Sequence, residues 1–323
     1  MHIDRSTALQ RLNPLINLVT PIWVVLAVLV IVVALFFDRF LSPQNIVSIL
    51  QQGVITGVVA LGMTIVLIGG QFDLSTGAIV VMAAVVAVIV GPSTGTGTFL
   101  AIVLPILLGS AVGAMNGLAV FWAGANSIVA TIGMQFLLMG VVLASVSGQH
   151  VRADNISAIF TGLAQSQFLG IPVSVIVFGS VALVLAIVMN NTVFGRHIYA
   201  VGGNIETARR AGIDVTQIGV ATFMLSGALA ALSGVMIASL VGHVSPTSIA
   251  HYEFPALTAV VLGGTSLAGG VGQPTDTVAA ILVLAVISNV LTLLDYQYPI
   301  QLLVQGVVLI VAVAYYAWQG AKV

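Results

Sequence analysis

The sequence predicts an all-α polytopic membrane protein of about ten transmembrane helices with Gly-rich helix breaks, and three observations carry that prediction. Hydrophobic residues make up 59% of the 323 positions and charged residues only 5%, against roughly a quarter charged in a soluble domain. Apolar runs repeatedly approach the roughly 20 residues that cross a bilayer as helix. Runs such as VVLAVLVIVVALFF (24–37) do not alternate apolar with polar, as barrel strands would. The chain has no cysteine, which excludes disulfides, thiolate metal sites and a Cys nucleophile.

Residues 1–19 carry some charge ahead of a long apolar span and lack the short core of a cleaved signal peptide, so they read as an N-terminal tail. Ten candidate spans follow at roughly 20–37, 53–69, 76–91, 98–122, 126–146, 169–189, 215–241, 255–271, 275–294 and 299–318. They form a single transmembrane domain over 20–318, with a charged loop at about 190–214 and a tail at 319–323. The segment SPQNIVSILQQ (42–52) is amphipathic and suits either the interface or an extension of the second helix. Arg5 and Arg11 precede the first span, Arg196, Arg209 and Arg210 sit between the sixth and seventh, and Lys322 ends the chain. With ten spans all three places share one side, the cytoplasm by the positive-inside rule, so both termini are expected there. Arg39 and Arg152 fall outside, each near an Asp (Asp38, Asp154).

Two Gly-rich breaks interrupt the apolar sequence. In IGGQFDLSTG (68–77) a carboxylate, Asp73, stands between glycines and small hydroxyl residues. A charge at mid-membrane costs at least roughly 2.5–3.5 kcal/mol, so Asp73 needs a polar cavity or partner. Non-helical backbone at that depth is tolerated only where it lines protein or water. One reading makes Gln71, Phe72, Asp73 and Ser75 a break on or near a translocation pathway; the other is an ordinary loop between helices. The second break, VLGGTSLAGGVGQPTDTVAA (261–280), holds five glycines and no positive charge. Without a Gly-Lys-Ser/Thr ending it binds no nucleotide, and Gly263, Gly264, Thr265 and Ser266 read as close packing or a hinge, with Asp276 unexplained. The two breaks share a pattern of Gly-Gly, Leu, a small residue and Gly. That likeness fits chance or two related halves, common in transporters.

In the fourth span Gly109, Gly113 and Gly117 are spaced by four, a small-residue face that lets helices approach; Asn116 within it needs a polar partner. No HExxH occurs, and the one G-x-S-x-G match, GPSTG (91–95), lies between two apolar helical spans and not on a strand-to-helix turn, so neither a zinc protease nor a nucleophile-elbow hydrolase is indicated. His243 and His251 are too isolated to suggest a metal and belong at a helix end or loop. No cofactor, metal or nucleic-acid partner is expected, and no catalytic residue.

Five of the chain's charges, Arg196, Glu206, Arg209, Arg210 and Asp214, fall within GRHIYAVGGNIETARRAGIDV (195–215). Here GRHIYAVGGN reads as a turn built on glycines. NIETARRAGID reads as a short helix capped by Asn204, with Glu206 in its first turn and Arg209 and Arg210 near its end, as the helix dipole favours. Gly212 supplies the stop. A charged helix of two turns has no apolar stripe of its own, which suggests a docking partner. The bland reading is a basic loop that merely enforces orientation.

These residues resemble the cytoplasmic coupling loop of the ribose-type permeases of ABC importers. GQFDLSTG is similar to that family's Gly-x-Ile-Asp-Leu-Ser-x-Gly motif, and NGLAVFWAGANSIVATIG (116–133) and AVVLGGTSLAGGVG (259–272) resemble two further family stretches. The likeness runs from about 45 to 318 in family order. It implies a ten-helix subunit in the bacterial inner membrane that pairs with a second permease subunit, cytoplasmic ABC ATPases and a periplasmic solute-binding protein. The family's substrates are mostly monosaccharides, with relatives that take up a furanone-like signal molecule or nucleosides. The family's coupling helix would fall on Asn204 to Asp214, with Glu206, Ala208 and Gly212 matching its Glu-x-Ala-x-x-x-Gly core. Gln71 stands where many members carry Gly, Ala125-Asn126-Ser127 replaces an Ile-Pro-Pro-type turn, Val271 replaces a common Arg, and Pro274 and Asp276 are unusual. The expected function is thus a permease subunit without its own catalysis that moves a monosaccharide or similar small polar solute. The alternative is an ion-coupled secondary transporter, which a buried Asp and broken helices also suit.

Overall fold

The structure, a computed structural model, describes residues 21–91, 93–152, 156–247, 249 and 251–320. Arg5, Arg11, Asp154 and Lys322, and with them the proposed terminal tails apart from residues 319 and 320, lie outside the described residues. Helices dominate: α1 Pro21–Phe36, α2 Pro43–Ile68, α3 Thr76–Ile89, α4 Gly95–Phe121, α5 Ser127–Ser145, α6 Ala158–Gln165, α7 Val173–Asn191, α8 Val193–Gly203, α9 Ile205–Arg210, α10 Val215–Val241, α11 Glu253–Leu262, α12 Pro274–Leu293 and α13 Tyr298–Gly320. Four two-residue strands complete the list: β1 Val151–Arg152 pairs antiparallel with β4 His243–Val244, and β2 Gln167–Phe168 with β3 Ile171–Pro172.

Among the described residues six helices (α2, α4, α5, α7, α10 and α12) are long and apolar enough to cross a membrane, and four shorter apolar helices occupy the other predicted spans. This is an all-α multi-pass membrane protein. The amphipathic stretch 42–52 extends α2, which starts at Pro43 with Ser42 Oγ capping Asn45 N–H. Ser48, Gln51 and Gln52 line a cavity of about 370 Å³ with Ser174 and Met236.

Nearly every residue of α3 is buried, with α10, α4 and α5 packed around it; a helix apolar on all sides must be surrounded by others. The Gly109, Gly113 and Gly117 stripe of α4 faces α10: a Cβ on these residues would strike Gly227 O, Phe223 O and Val220 Cα. Backbone contact of this kind is what small residues permit between membrane helices.

Three expectations need correction. The predicted eighth span, 255–271, ends as helix at Leu262, because Gly263 and Gly264 terminate it and residues 263–273 are irregular. The stretch GRHIYAVGGN is not a turn: its residues through Gly203 belong to α8, whose apolar face buries Ile198 and Val201. Finally, α9 has an apolar contact on its own chain, since Ala208 is buried against Val201 and Val215.

Candidate functional site

Both breaks begin in the same way. Gly69 and Gly263 donate to the carbonyls four residues back, Ile65 and Ala259. Gly70 and Gly264 then turn to positive φ, +76° and +83°, and their N–H groups donate to Leu67 O and Val261 O. The following N–H groups of Gln71 and Thr265 reach back to Val66 O and Val260 O. This is the double reverse bond that closes a helix on a left-handed residue. The likeness of the two motifs is therefore one of backbone geometry as well as letters.

Beyond Gly70 the first break is held from two sides. Its free N–H groups go to the first turn of α5, where Ser127 Oγ accepts from Phe72 (3.2 Å) and Thr131 Oγ1 from Leu74 (3.1 Å). Asn126 caps that helix by accepting from Ile128 and Val129 N–H, so the departure at Ala125-Asn126-Ser127 is a capped helix start. On the other side Asp73 is fully buried. Its Oδ1 accepts from the Ser75 hydroxyl at 2.7 Å and from Ser75 N–H at 3.2 Å, and its Oδ2 accepts from Ser226 of α10 at 3.0 Å. Asn116 of α4 donates to Ser75 Oγ at 2.8 Å. A carboxylate this deep requires such partners, and Asp73, Ser75, Asn116 and Ser226 form one hydrogen-bonded cluster. Ser226 is the partner the sequence did not announce, since one serine in a long apolar span has no distinguishing spacing.

In the second break Ser266 N–H donates to Val271 O and Ser266 Oγ accepts from Ala268 N–H. Thr265 Oγ1 is buried without a hydrogen-bond partner in the structure. A cavity of about 500 Å³ is lined by Gly264, Thr265, Ser266, Leu267 and Val313. Gly263 passes within reach of the α12 start, where a Cβ would lie 2.9 Å from Asp276 O. Asp276 itself sits in the first turn of α12, where a carboxylate complements the helix dipole.

The charged segment behaves as its residues suggest. Asn204 Oδ1 accepts from Thr207 N–H at 2.8 Å, and Gly212, at φ +83°, closes α9 with bonds from Gly212 N–H to Arg209 O and from Ile213 N–H to Ala208 O. Glu206 meets Arg210 at 3.2 Å and Arg209 at 3.6 Å, all well exposed. Asp214 caps α10 by accepting from Gln217 N–H.

These three regions meet. Gly270 N–H of the second break donates to Ile68 O at the end of α2 (2.8 Å). Gly202, at the end of α8, lies against both: its Cβ would collide with Ile68 O and fall 2.8 Å from Gly270 N. Tyr199 of α8 donates to Gly272 O at 2.7 Å. Burial first, and the nearby Asp276 second, raise the Tyr199 hydroxyl above its ordinary pKa, so it remains a donor across the physiological range. Gln71 and Phe72 line one groove of about 420 Å³ together with Asn126, Ser127, Ile205 and Arg209. The charged helix and the first break thus share a wall. Neither Tyr199 nor Gly202 carried any sequence signal of this junction.

One further buried carboxylate escaped the sequence reading. Glu253, fully buried at the start of α11, accepts from Gln135 Nε2 at 2.8 Å and lies 3.4 Å from His251 Nδ1. Among the described residues no cluster of His, Asp and Glu suits a metal ion.

A family model described as "Branched-chain amino acid transport system / permease component" matches residues 45–313. The chain is 36% identical over 315 residues to the ribose import permease protein of Bacillus subtilis (strain 168), covering 97% of this chain and 94% of that one. It is 34% identical over 294 residues to the ribose import permease protein of Escherichia coli (strain K12), covering 90% and 91%. To the L-arabinose transport system permease protein of the same strain it is 31% identical over 292 residues, covering 90% and 88%. No solved structure matches the chain.

Proposed function

Because the chain belongs to the branched-chain amino acid transport system / permease component family, as a permease subunit of an ABC importer, we propose that it carries a monosaccharide, with a pentose as first candidate. Two relatives are named for ribose and arabinose. The subunit is not an enzyme; ATP hydrolysis belongs to a separate ATPase. It spans the bacterial inner membrane about ten times with both termini cytoplasmic, pairs with a second permease subunit, and receives its solute from a periplasmic binding protein.

Asn204, Glu206, Ala208, Arg209, Arg210, Gly212 and Asp214 form the coupling segment that meets the ATPase. The observation that best supports this reading is the glycine junction: the end of α8 touches both helix breaks through backbone atoms, so a push on α9 has a stiff route to them. Packed backbone transmits displacement because interiors compress little. Asp73, Ser75 and Asn116 act as a brace that fixes the first break, while Gln71, Phe72, Thr265 and Ser266 line the cavities beside the breaks.

The test is reconstitution of the permease in vesicles with its ATPase and binding protein, followed by uptake of labelled ribose and arabinose. ATP-dependent uptake that persists when proton and sodium gradients are collapsed is expected. Uptake that needs an ion gradient and no ATP would instead establish the secondary-transporter alternative.

A further inference from the structure

His251 stands immediately before α11, and three features of it are unusual. Its backbone sits at φ +77°, a left-handed conformation that is uncommon outside glycine. Its side chain is 71% exposed, in a chain whose exposed surface is otherwise built largely from Val, Leu, Ile and Phe. Its ring nitrogen Nδ1 faces Glu253 Oε1 at 3.4 Å, and that oxygen also accepts from Gln135 Nε2. A buried carboxylate and an imidazole from one stretch of chain, and a carboxamide from α5, therefore converge on one point.

The depth of that point follows from α5. Gln135 lies eight residues after Ser127 in a helix of 19 residues, about 12 Å along its axis and near its middle. An imidazole exposed to lipid at that depth would be costly, and ionisable groups there face a polar pathway or cavity. Glu253 Oε2 adds a second sign: it is buried and has no hydrogen-bond partner in the structure. It occupies the space beside Gly77 that any Cβ would fill.

We propose that His251, oriented by Glu253 and Gln135, contacts the hydroxyl groups of the solute midway along the transport pathway; this rests on the sugar-import reading above. The chemistry selects the solute class. With Nδ1 turned to the Glu253 oxygen, the ring offers Nε2 as its remaining polar atom for a hydroxyl group. The ring stacks at 6.4 Å on Phe254, which leaves its free edge for the solute.

The experiment uses the assembled permease, ATPase and binding protein in vesicles, with ribose, 2-deoxyribose and 3-deoxyribose as probes, each supplied on saturated binding protein. His251→Gly removes the ring and relaxes the positive φ, so a merely structural role predicts equal or better function. The proposal predicts about tenfold slower ribose uptake. It also predicts loss of the preference for ribose over the analogue that lacks the contacted hydroxyl, with subunit assembly unchanged. His251→Asn, which keeps a polar group in a residue tolerant of positive φ, is expected to recover part of the rate. His251→Gly with wild-type uptake and wild-type preference overturns the proposal. A wild-type complex that imports neither ribose nor arabinose in the presence of ATP overturns the sugar-import reading, and the site assignment falls with it.

Discussion

Asp73 shows what a single buried charge demands. Each of its oxygens accepts from a hydroxyl, one of them 153 residues away in the chain. A hydrogen bond to a charged group contributes about 1.5–3 kcal/mol, and an orphaned buried partner costs about 1–3 kcal/mol. Asp73→Ala is therefore expected to lower the melting temperature of the purified complex by several degrees and to reduce the amount in the membrane. Asp73→Asn retains the shape and one acceptor, and its amide can donate to Ser226 Oγ, so most stability and uptake should survive. Uptake abolished by Asp73→Asn at unchanged stability would show that the charge itself touches the solute, and would end the brace assignment.

At the scale of an element, α9 is six residues long and too short to be stable alone. It persists because Asn204 caps it, Gly212 closes it and Ala208 seats it on Val201 and Val215. The sequence reading had all three parts of the helix but assigned its anchorage to an outside partner; the first anchor is the chain's own core. Glu206 and its two arginines remain exposed, and exposed pairs contribute only about 0–1 kcal/mol, so they are free to serve recognition. Gly212→Ala places a Cβ in the left-handed region at a cost of about 1–2 kcal/mol. It should uncouple the helix: membrane insertion is preserved while stimulation of ATPase activity by loaded binding protein falls at least fivefold. Normal stimulation in this variant would remove α9 from the coupling role.

At the scale of the whole molecule, the junction of Gly202 with Ile68 and Gly270 ties the two breaks and α8 into one unit. A methyl group at Gly202 has nowhere to go, because both neighbours are backbone. Gly202→Ala should leave the binding of ATPase subunits intact but cut ribose uptake by an order of magnitude or more. Tyr199→Phe, which loses only the bond to Gly272 O, should give a milder loss. Equal uptake in wild type and Gly202→Ala would mean that motion does not pass through this contact.

The sequence by itself determined the membrane class, the places where most of the apolar helices run, and the cap and stop of the charged helix, Asn204 and Gly212. Those features are local. Hydropathy, capping and left-handed glycine are free energies of a few neighbouring residues, so they can be read from spacing alone. Tertiary structure decided that Ser226 receives Asp73, that Gln135 meets Glu253 across 118 residues of chain, and that Tyr199 and Gly202 close on the breaks. A serine, a glutamine or a glycine in an apolar helix has many possible partners, and only the packed arrangement of helices selects one. Two of the predicted elements changed for the same reason. The glycines of GRHIYAVGGN look like a turn in isolation, but Ile198 and Val201 bury as a helical face once α2 lies beneath them. The eighth span loses its second half because its glycines are needed at the junction.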